Sequence, residues 1–487
     1  MISWVSLAYY AYWAVLIYVT IKIISQYTIS SRASAWLFTV YMVPVVGIIL
    51  YLIFGVKKRK RRIYQQKQSY NQQALEAFHV KYSEKSLAVM RQQKDNLKQF
   101  HGLTKMIYQD TGNRLTVNNQ LNLLENGEQK FPRLLKDIEA AEHTIHLEYY
   151  ILRFDDVGSQ LLEVLVRKAK QGLAIRILYD DYGSLGLSQV VLQRLRSYGI
   201  EVWPFAELGL FAFTDRLNYR NHRKIVVIDG KIGYVGGINV GNEYVNNNKE
   251  HMPDKFWRDT HLRIEGQSVA YLQHIFINDW NFSTGQQLAI EDELSAGFSD
   301  LSVAERKMVQ IVASGPDSAA PSILLTILQA IYTATDEILI TTPYFIPNQS
   351  LIKALKVAAL RGVMVKVIVP DKSDNFVVNA AAQSYYYELL QDGVAFYKYT
   401  QGFIHAKTMV VDGFLSVMGT ANFDERSFEL NFEVNALIYD RDFAEQLKVS
   451  FENDLTCAKQ ITLESWDKRS AVKIFMEKLA RLISPIL

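Results

Sequence analysis

The sequence predicts an α/β protein of two homologous lobes, preceded by a hairpin of membrane-spanning helices. One observation is an internal repeat: His-x-Lys, four further residues and Asp occur at 222–229 and again at 405–412. A strand, helix, strand order recurs around each copy, which favours duplication of an α/β unit. Two long uncharged runs lie near the amino terminus. We therefore predict two transmembrane helices in 1–56, a basic helical connector in 57–104, a first lobe in 105–300 and a second lobe in 301–487.

The uncharged runs at 1–21 and 33–56 each have about the 20 residues needed to cross the hydrocarbon core. The segment between them is short, so the pair reads as a helical hairpin. A cleaved signal peptide is the alternative for the first run, but it lacks a basic start and a small-residue cleavage site. Six consecutive basic residues follow at 57–62. Directly after an apolar span, they indicate the cytoplasmic side of the membrane.

Composition limits the classes of protein further. The chain has 487 residues, 49% hydrophobic and 21% charged, which is enough for two to three domains with their own cores. A net charge of +3 neither favours nor excludes nucleic acid. Cys457 is the single cysteine, so no disulfide forms within the chain and a reducing compartment fits. His143 and His146 do not share a strand face and have no neighbouring ligand cluster, so we predict no metal and no cofactor.

Predicted elements repeat between the two halves. Each half has a strand, then a helix ended by a glycine, then an apolar strand. The first-half elements are the strand that Ala141–Tyr150 leads into, the helix Gln160–Gln171 and the strand Ile175–Leu178; those of the second half are Glu337–Pro343, Ser350–Arg361 and Val363–Val369. The apolar stretch Phe205–Phe213 lies just upstream of the first motif. It either inserts into the bilayer, lines an acyl-chain path or belongs to the core.

Each motif reads as one strand of a hairpin. An apolar run leads into Asp229-Gly230 in the first copy and Asp412-Gly413 in the second, which is a strong turn signal. On a strand, residues two apart share a face, so the His and Lys of each copy point the same way. Folding back about the turn brings position 237 opposite His222 and position 420 opposite His405. The small residues of the return strand would leave room for a ligand to approach the backbone.

An asparagine follows each histidine by 17 residues, as Asn239 and Asn422, and arrives beside the His-Lys face. Two such faces suit a phosphodiester, because lysines and amides supply positive charge and donors to the developing five-coordinate phosphorus without a metal. One imidazole can attack while the other donates a proton to the leaving oxygen. Asp229 and Asp412 fall at the turns, at an odd offset from their histidines, which favours a structural or orienting role.

These residues resemble the phospholipase D superfamily, whose signature is a duplicated H-x-K-x-x-x-x-D motif. The resemblance implies phospholipase D-like lobes that share one interfacial active site and form a phosphohistidine intermediate. The flanking sequences resemble the bacterial cardiolipin synthase branch, which implies phosphatidyl transfer between two phosphatidylglycerol molecules to give cardiolipin and glycerol. The segments that carry this second resemblance are Arg220–Lys224, Gly236–Asn239, Trp257–Thr260 and Thr342–Phe345.

The resemblance also implies residue roles. His222 would be the nucleophile and His405 the general acid, then base. The phosphate oxygens would be held by Lys224, Lys407, Asn239 and Asn422, while the motif acids Asp229 and Asp412 complete the catalytic signature.

Asp259 and Glu433 each open an apolar segment downstream of a motif. They are candidates to hold the imidazole rings, fixing the tautomer and stabilising the imidazolium. An ordinary carboxylate at a strand end is the alternative for both.

Four functions compete at this level. The first is cardiolipin synthesis at a bacterial plasma membrane, with cytoplasmic lobes and with phosphatidylglycerol and other anionic membrane lipids as partners. A phospholipase D would use water as the acceptor and release phosphatidic acid. A nuclease is disfavoured by the hydrophobic hairpin and by the absence of basic clusters near the motifs, so no nucleic acid partner is expected. A membrane-tethered lipid-binding protein is disfavoured by two complete motifs.

Overall fold

In the computed structural model the described residues are 4–26, 30–55, 97–205, 219–247, 256–289, 306–373 and 375–484. Most of the predicted connector and almost all of the apolar stretch Phe205–Phe213 lie outside them. Phe205 itself is buried at the end of a strand.

The amino-terminal region forms three helices where two were predicted. They are α1 (Trp4–Gln26), α2 (Ser30–Met42) and α3 (Pro44–Phe54). The second uncharged run is divided because Pro44 starts α3 at its first turn, and a proline has no N–H to continue the preceding helix. No helix in the described part of the chain is both long and apolar enough to cross a membrane.

The first lobe begins with a helix and then alternates strands and helices. Its helices are α4 (His101–Thr111), α5 (Asn126–Glu139), α6 (Asp156–Lys170), α7 (Gln189–Ser197) and α8 (Val269–Thr284). Its strands are β1 (Thr116–Glu125), β2 (Thr144–Tyr149), β3 (Ala174–Asp180), β4 (Glu201–Phe205), β5 (Ile225–Ile228), β6 (Ile232–Gly236), β7 (Trp257–Arg258) and β8 (Thr260–Gly266).

The second lobe repeats this order. Its helices are α9 (Ser322–Thr333), α10 (Gln349–Leu360), α11 (Phe376–Gln391), α12 (Glu425–Glu429), α13 (Arg441–Thr456), α14 (Leu463–Asp467) and α15 (Ala471–Ile483). Its strands are β9 (Lys307–Ser314), β10 (Glu337–Thr341), β11 (Phe345–Ile346), β12 (Met364–Pro370), β13 (Ala395–Tyr399), β14 (Phe403–Ile404), β15 (Thr408–Val411), β16 (Leu415–Gly419), β17 (Phe423–Asp424), β18 (Glu433–Tyr439) and β19 (Ala458–Ile461).

Both lobes contribute to one mixed sheet. Its strand order is β19-β13-β12-β10-β15-β16-β18-β9-β1-β8-β6-β5-β2-β3-β4. The order reads the same outward in both directions from the β9–β1 pair, except that β19 adds an edge to the second lobe. The duplication inferred from the motifs is therefore present in the topology, and the lobes join edge to edge at the centre.

Each motif lies on a β-hairpin, β5–β6 or β15–β16, as the Asp-Gly pairs predict. Asp229 and Asp412 have φ of 52° and 51°, a conformation that aspartate and glycine tolerate better than other residues. The predicted register was wrong by one residue. Ile228 pairs with Ile232, and Val411 with Leu415, because the loop contains three residues rather than two.

Helices cover the sheet and bury a core in each lobe, and the core of the second lobe also contains residues of α4 and the start of β1. A further apolar cluster draws on both lobes: α8, with its fully buried Trp280, packs with residues of the β18 region such as Phe432 and Val434. Burial of apolar area is the main stabilising contribution to such packing. This shared core fixes the two hairpins relative to each other.

Candidate active site

The two histidines line one pocket between the lobes. The pocket has a volume of about 830 Å³ and is lined by His222 and Asn239 from the first lobe and by His405 and Asn422 from the second. Two motifs separated by 183 positions in sequence thus meet at one site. Its walls also carry aromatic and charged side chains, among them Tyr150, Tyr182, Arg220, Trp257, Tyr344 and Arg426.

Each histidine is held by a carboxylate from the other lobe. The Nδ1 atom of His222 lies 2.9 Å from Oε1 of Glu433, and Nδ1 of His405 lies 2.7 Å from Oδ2 of Asp259. Both carboxylates are fully buried. The backbones of the two lobes are also hydrogen-bonded here, since the N–H of His222 donates to the carbonyl of Phe432. Neither lobe alone therefore contains a complete histidine–carboxylate pair.

This anchoring selects the tautomer of both rings. A buried carboxylate is an acceptor, so Nδ1 carries the proton and donates it. Nε2 is left with its lone pair. Aromatic rings fix the orientation further: Tyr150 packs edge-on against His222 at 4.9 Å between centroids, and Trp257 lies 5.1 Å from the ring of His405.

Burial and nearby lysines lower the pKa of both histidines. For His222, burial is the largest cause and brings the pKa to about 4, with Lys224 and Lys407 acting in the same direction and Glu433 opposing them. For His405, burial, Lys407 and Lys224 also bring the pKa to about 4 against the opposing Asp259. Both rings are thus neutral at pH 7. An anionic phosphodiester beside them favours protonation, because an opposite charge stabilises the imidazolium.

The motif lysines lie buried behind the histidines and are not part of the pocket wall. Nζ of Lys224 donates to the carbonyl of His222 at 2.7 Å, and Nζ of Lys407 donates to the carbonyl of His405 at 2.6 Å. Burial, against the opposing Glu433 and with a smaller contribution from Lys407, lowers the pKa of Lys224 to about 7. The two ammonium groups are therefore close enough to repel each other.

The two asparagines differ in their hydrogen bonds. Oδ1 of Asn239 accepts from the backbone N–H of Ile151 at 3.1 Å, and its Nδ2 donates to the hydroxyl of Tyr244 at 2.7 Å. Oδ1 of Asn422 is buried and has no hydrogen-bond partner. The duplicated motifs are therefore not equivalent at these positions.

The aspartates of the motifs lie at the turns and do not line the pocket. The carboxylate of Asp229 accepts three backbone N–H groups, from Glu142, His143 and Thr144, each at 2.8 Å. Asp412 accepts the equivalent set, from Thr335, Asp336 and Glu337, at 2.9, 2.8 and 3.0 Å. Both therefore join a hairpin turn to the segment that leads into the neighbouring strand.

The sequence suggested that the glycine-rich return strand leaves space for a ligand. The structure shows that this space is filled. A Cβ atom on Gly237 would collide with the carboxylate of Asp259. In the second lobe Thr420 lies one residue after the end of β16, as Gly237 does after β6, and its hydroxyl donates to Glu433. Both positions therefore support the histidine-holding carboxylates.

Tyr150 lines the pocket but was not among the predicted site residues. Tyr150 directly follows strand β2, and the carboxyl ends of strands in α/β sheets are common positions for functional residues. That rule was the available signal.

The H-x-x-H pair is split: His146 is buried, with Nε2 at 2.9 Å from Arg176, whereas His143 is exposed. Among the described residues there is no cluster of three metal-ligating side chains.

Comparison with known proteins agrees with this geometry. The family model described as "Cardiolipin synthase, PLD-like domain" matches residues 134–280 and 327–455. A cardiolipin synthase of Geobacillus kaustophilus is 40% identical over 459 residues, covering 94% of this chain and 89% of that protein. A cardiolipin synthase of Listeria monocytogenes is 40% identical over 464 residues, covering 94% of each chain.

The fold is also similar to that of a solved structure. The phosphatidylserine synthase of Haemophilus influenzae superposes with a TM-score of 0.60, covering 79% of this chain and all of that one. At 15% identity this likeness shows the fold alone. The family model and the sequence matches show that this chain belongs to the cardiolipin synthase family of phospholipase D-like proteins.

Proposed function

We propose that this protein is a cardiolipin synthase that transfers a phosphatidyl group from one phosphatidylglycerol to another and releases glycerol. The observation that supports the chemistry most directly is the pair of carboxylate-anchored histidines in one pocket. Family membership supports the choice of substrate.

In the first step, Nε2 of His222 attacks the phosphorus of the donor lipid. A P–N bond forms and the bond from phosphorus to the headgroup glycerol oxygen breaks. His405, which takes up a proton on Nε2 when the anionic lipid binds, gives that proton to the leaving oxygen. Glu433 stabilises the positive charge that develops on the attacking ring, since a carboxylate at 2.9 Å interacts more strongly with imidazolium than with imidazole. Lys224 and Lys407 offset the negative charge on the phosphate from behind.

In the second step, the phosphatidyl group leaves His222. The terminal hydroxyl of a second phosphatidylglycerol gives its proton to His405, its oxygen forms a bond to phosphorus, and the P–N bond breaks. His405 thus acts first as an acid and then as a base. Asp259 keeps the same ring nitrogen available in both steps, because it holds Nδ1 at 2.7 Å.

The amino-terminal helices support attachment to a membrane. Apolar and aromatic side chains on them are exposed, including Trp4 at 87%, Met42 at 66% and Val45 at 63%. Helix α15 contacts α2 and exposes Val472 and Phe475. Exposed apolar side chains on helices that contact each other fit a lipid boundary. We therefore propose that residues 1–56 insert into the bacterial plasma membrane and that the basic run at 57–62 places the lobes in the cytoplasm.

The test is incubation of the purified full-length chain with phosphatidylglycerol vesicles and analysis of the products. We expect cardiolipin and glycerol in equal amounts. His222→Ala should abolish both, whereas His143→Ala, at an exposed position outside the pocket, should retain them. Phosphatidic acid in place of cardiolipin would support a phospholipase D instead. Cleavage of DNA without lipid turnover would contradict the proposal.

A further inference from the structure

Two arginines from different lobes line the same pocket as the histidines. Arg220 precedes His222 by two residues, and Arg426 belongs to the short helix α12 of the second lobe. Neither belongs to the H-x-K motifs, and the mechanism above uses neither of them.

Arg220 is buried, with 5% of its surface exposed, and its guanidinium is incompletely paired. It lies 4.3 Å from the ring centre of Tyr182 and 3.9 Å from Asp180, and its Nη2 has no hydrogen-bond partner. Asp180 is also engaged by the backbone N–H groups of Tyr182, Gly183 and Asn221 at 3.1, 2.9 and 3.0 Å. A buried guanidinium with an unsatisfied donor requires an explanation.

Arg426 brings a second positive charge to the same wall. Burial lowers its pKa, and Arg220 is among the further causes, while Tyr150, Asp424 and Tyr182 oppose it. Asp424 is engaged elsewhere, because its carboxylate accepts the backbone N–H of Ser427 at 2.6 Å and caps α12. Two neighbouring guanidiniums in a pocket repel each other unless an anion lies with them.

We propose that Arg220 and Arg426 form a second anion subsite, which binds the phosphodiester of the acceptor lipid while the transferred phosphorus lies between the two histidines. The inference rests on the proposed function and specifies its acceptor as an anionic lipid. Arginine suits this role because its planar fork binds phosphate oxygens with two parallel hydrogen bonds.

The spacing fits such an acceptor. The backbone is extended here, since the N–H of His222 donates to the carbonyl of Phe432 and the N–H of Phe432 donates to that of Arg220. Residues two apart on an extended chain lie on one side, roughly 7 Å from each other. In phosphatidylglycerol, a single glycerol unit joins the attacking hydroxyl to the lipid's own phosphate, which is a span of similar size. Water and neutral alcohols carry no such phosphate.

A competition between two acceptors tests the inference. Vesicles contain labelled phosphatidylglycerol, as donor and anionic acceptor, together with monoacylglycerol, a neutral acceptor with a similar terminal diol. Both products form from the same enzyme-bound phosphatidyl group, so their ratio reports only the acceptor step. We expect Arg426→Gln and Arg220→Gln each to lower the ratio of cardiolipin to the neutral product by about ten- to hundredfold, the usual effect of losing a hydrogen bond to a charged group.

The control is Arg153→Gln. Arg153 also lines the pocket but pairs with Glu243. The Arg153→Gln variant should therefore give the same ratio of cardiolipin to the neutral product as the wild type. Arg426→Lys keeps the charge without the fork and should give an intermediate ratio, and it provides the measurement if Arg426→Gln has no turnover. A wild-type ratio in the Arg220 and Arg426 variants would overturn the subsite. Wild-type enzyme that makes phosphatidic acid but no cardiolipin would instead overturn the proposed function.

Discussion

Replacing Glu433 by glutamine tests whether a carboxylate of the second lobe activates the histidine of the first lobe. The change removes one charge and preserves the shape of a fully buried side chain. The carboxylate lies 2.9 Å from Nδ1 of His222, and at an effective dielectric constant of about 20 two unit charges at this distance attract by about 6 kcal/mol. The amide dipole of glutamine retains part of this attraction. We therefore expect kcat to fall by about 10³- to 10⁴-fold, comparable to the loss when a triad aspartate becomes asparagine.

The assay is the initial rate of cardiolipin formation from phosphatidylglycerol vesicles, with folding monitored by circular dichroism. Glu163→Gln, on an exposed part of α6, is the matched control and should leave the rate unchanged. A second measurement separates positioning from mere structure. Glu433 raises the pKa of His222 against the effect of burial, so its loss should move the acid limb of the kcat/KM profile to lower pH. A folded Glu433→Gln variant within about tenfold of the wild-type rate would refute the reasoning.

Three further predictions concern residues of the two motifs. Asp229→Asn should lower the free energy of unfolding by about 1–3 kcal/mol, because it weakens three backbone hydrogen bonds; kcat below the unfolding temperature should not change, and urea denaturation with a parallel assay checks both. The melting temperature should fall as pH is lowered from 6.5 towards 4, because burial depresses the pKa of His222 and His405 to about 4, so the unfolded chain binds more protons in that window; a pH-independent melting temperature there would contradict the burial of neutral imidazoles. Lys224→Met should lower kcat/KM by about 10²- to 10³-fold through loss of charge behind the phosphate, and a smaller effect than that of the exposed Lys473→Met would contradict this role.

The motifs predicted the hairpins because local turn chemistry and strand periodicity determine them, whereas the approach of the two histidines was implied by the resemblance to the phospholipase D superfamily. Asp229 and Asp412 at positive φ illustrate this, since Asp-Gly pairs specify such turns. The register was missed by one residue because the loop length depends on a third turn residue that the Asp-Gly signal does not specify. It was also not predictable that Asp259 and Glu433 each hold the histidine of the other lobe. It depends on how the β18 region packs against the first lobe, and no local pattern encodes that contact.

The site differed from expectation where the duplicated halves diverge. The sequence suggested space for a ligand beside Gly237, but the carboxylate of Asp259 fills that space. The inequivalent hydrogen bonds of Asn239 and Asn422 likewise arise from their different neighbours. Pro44 separates two helices where one was predicted, because its ring removes a backbone donor.

The covalent intermediate provides the most direct test of the account. A His405→Ala variant lacks the acid of the first step and the base of the second, so the donor is a labelled phosphatidyl ester of p-nitrophenol, whose phenolate leaves without protonation. The phosphatidyl group should then accumulate on the enzyme, because no base activates an acceptor. After rapid quenching under alkaline conditions and proteolysis, mass spectrometry should locate the label on the imidazole of His222. Label on neither His222 nor any other histidine, in a variant that still binds the lipid, would contradict a site in which two imidazoles share one phosphate.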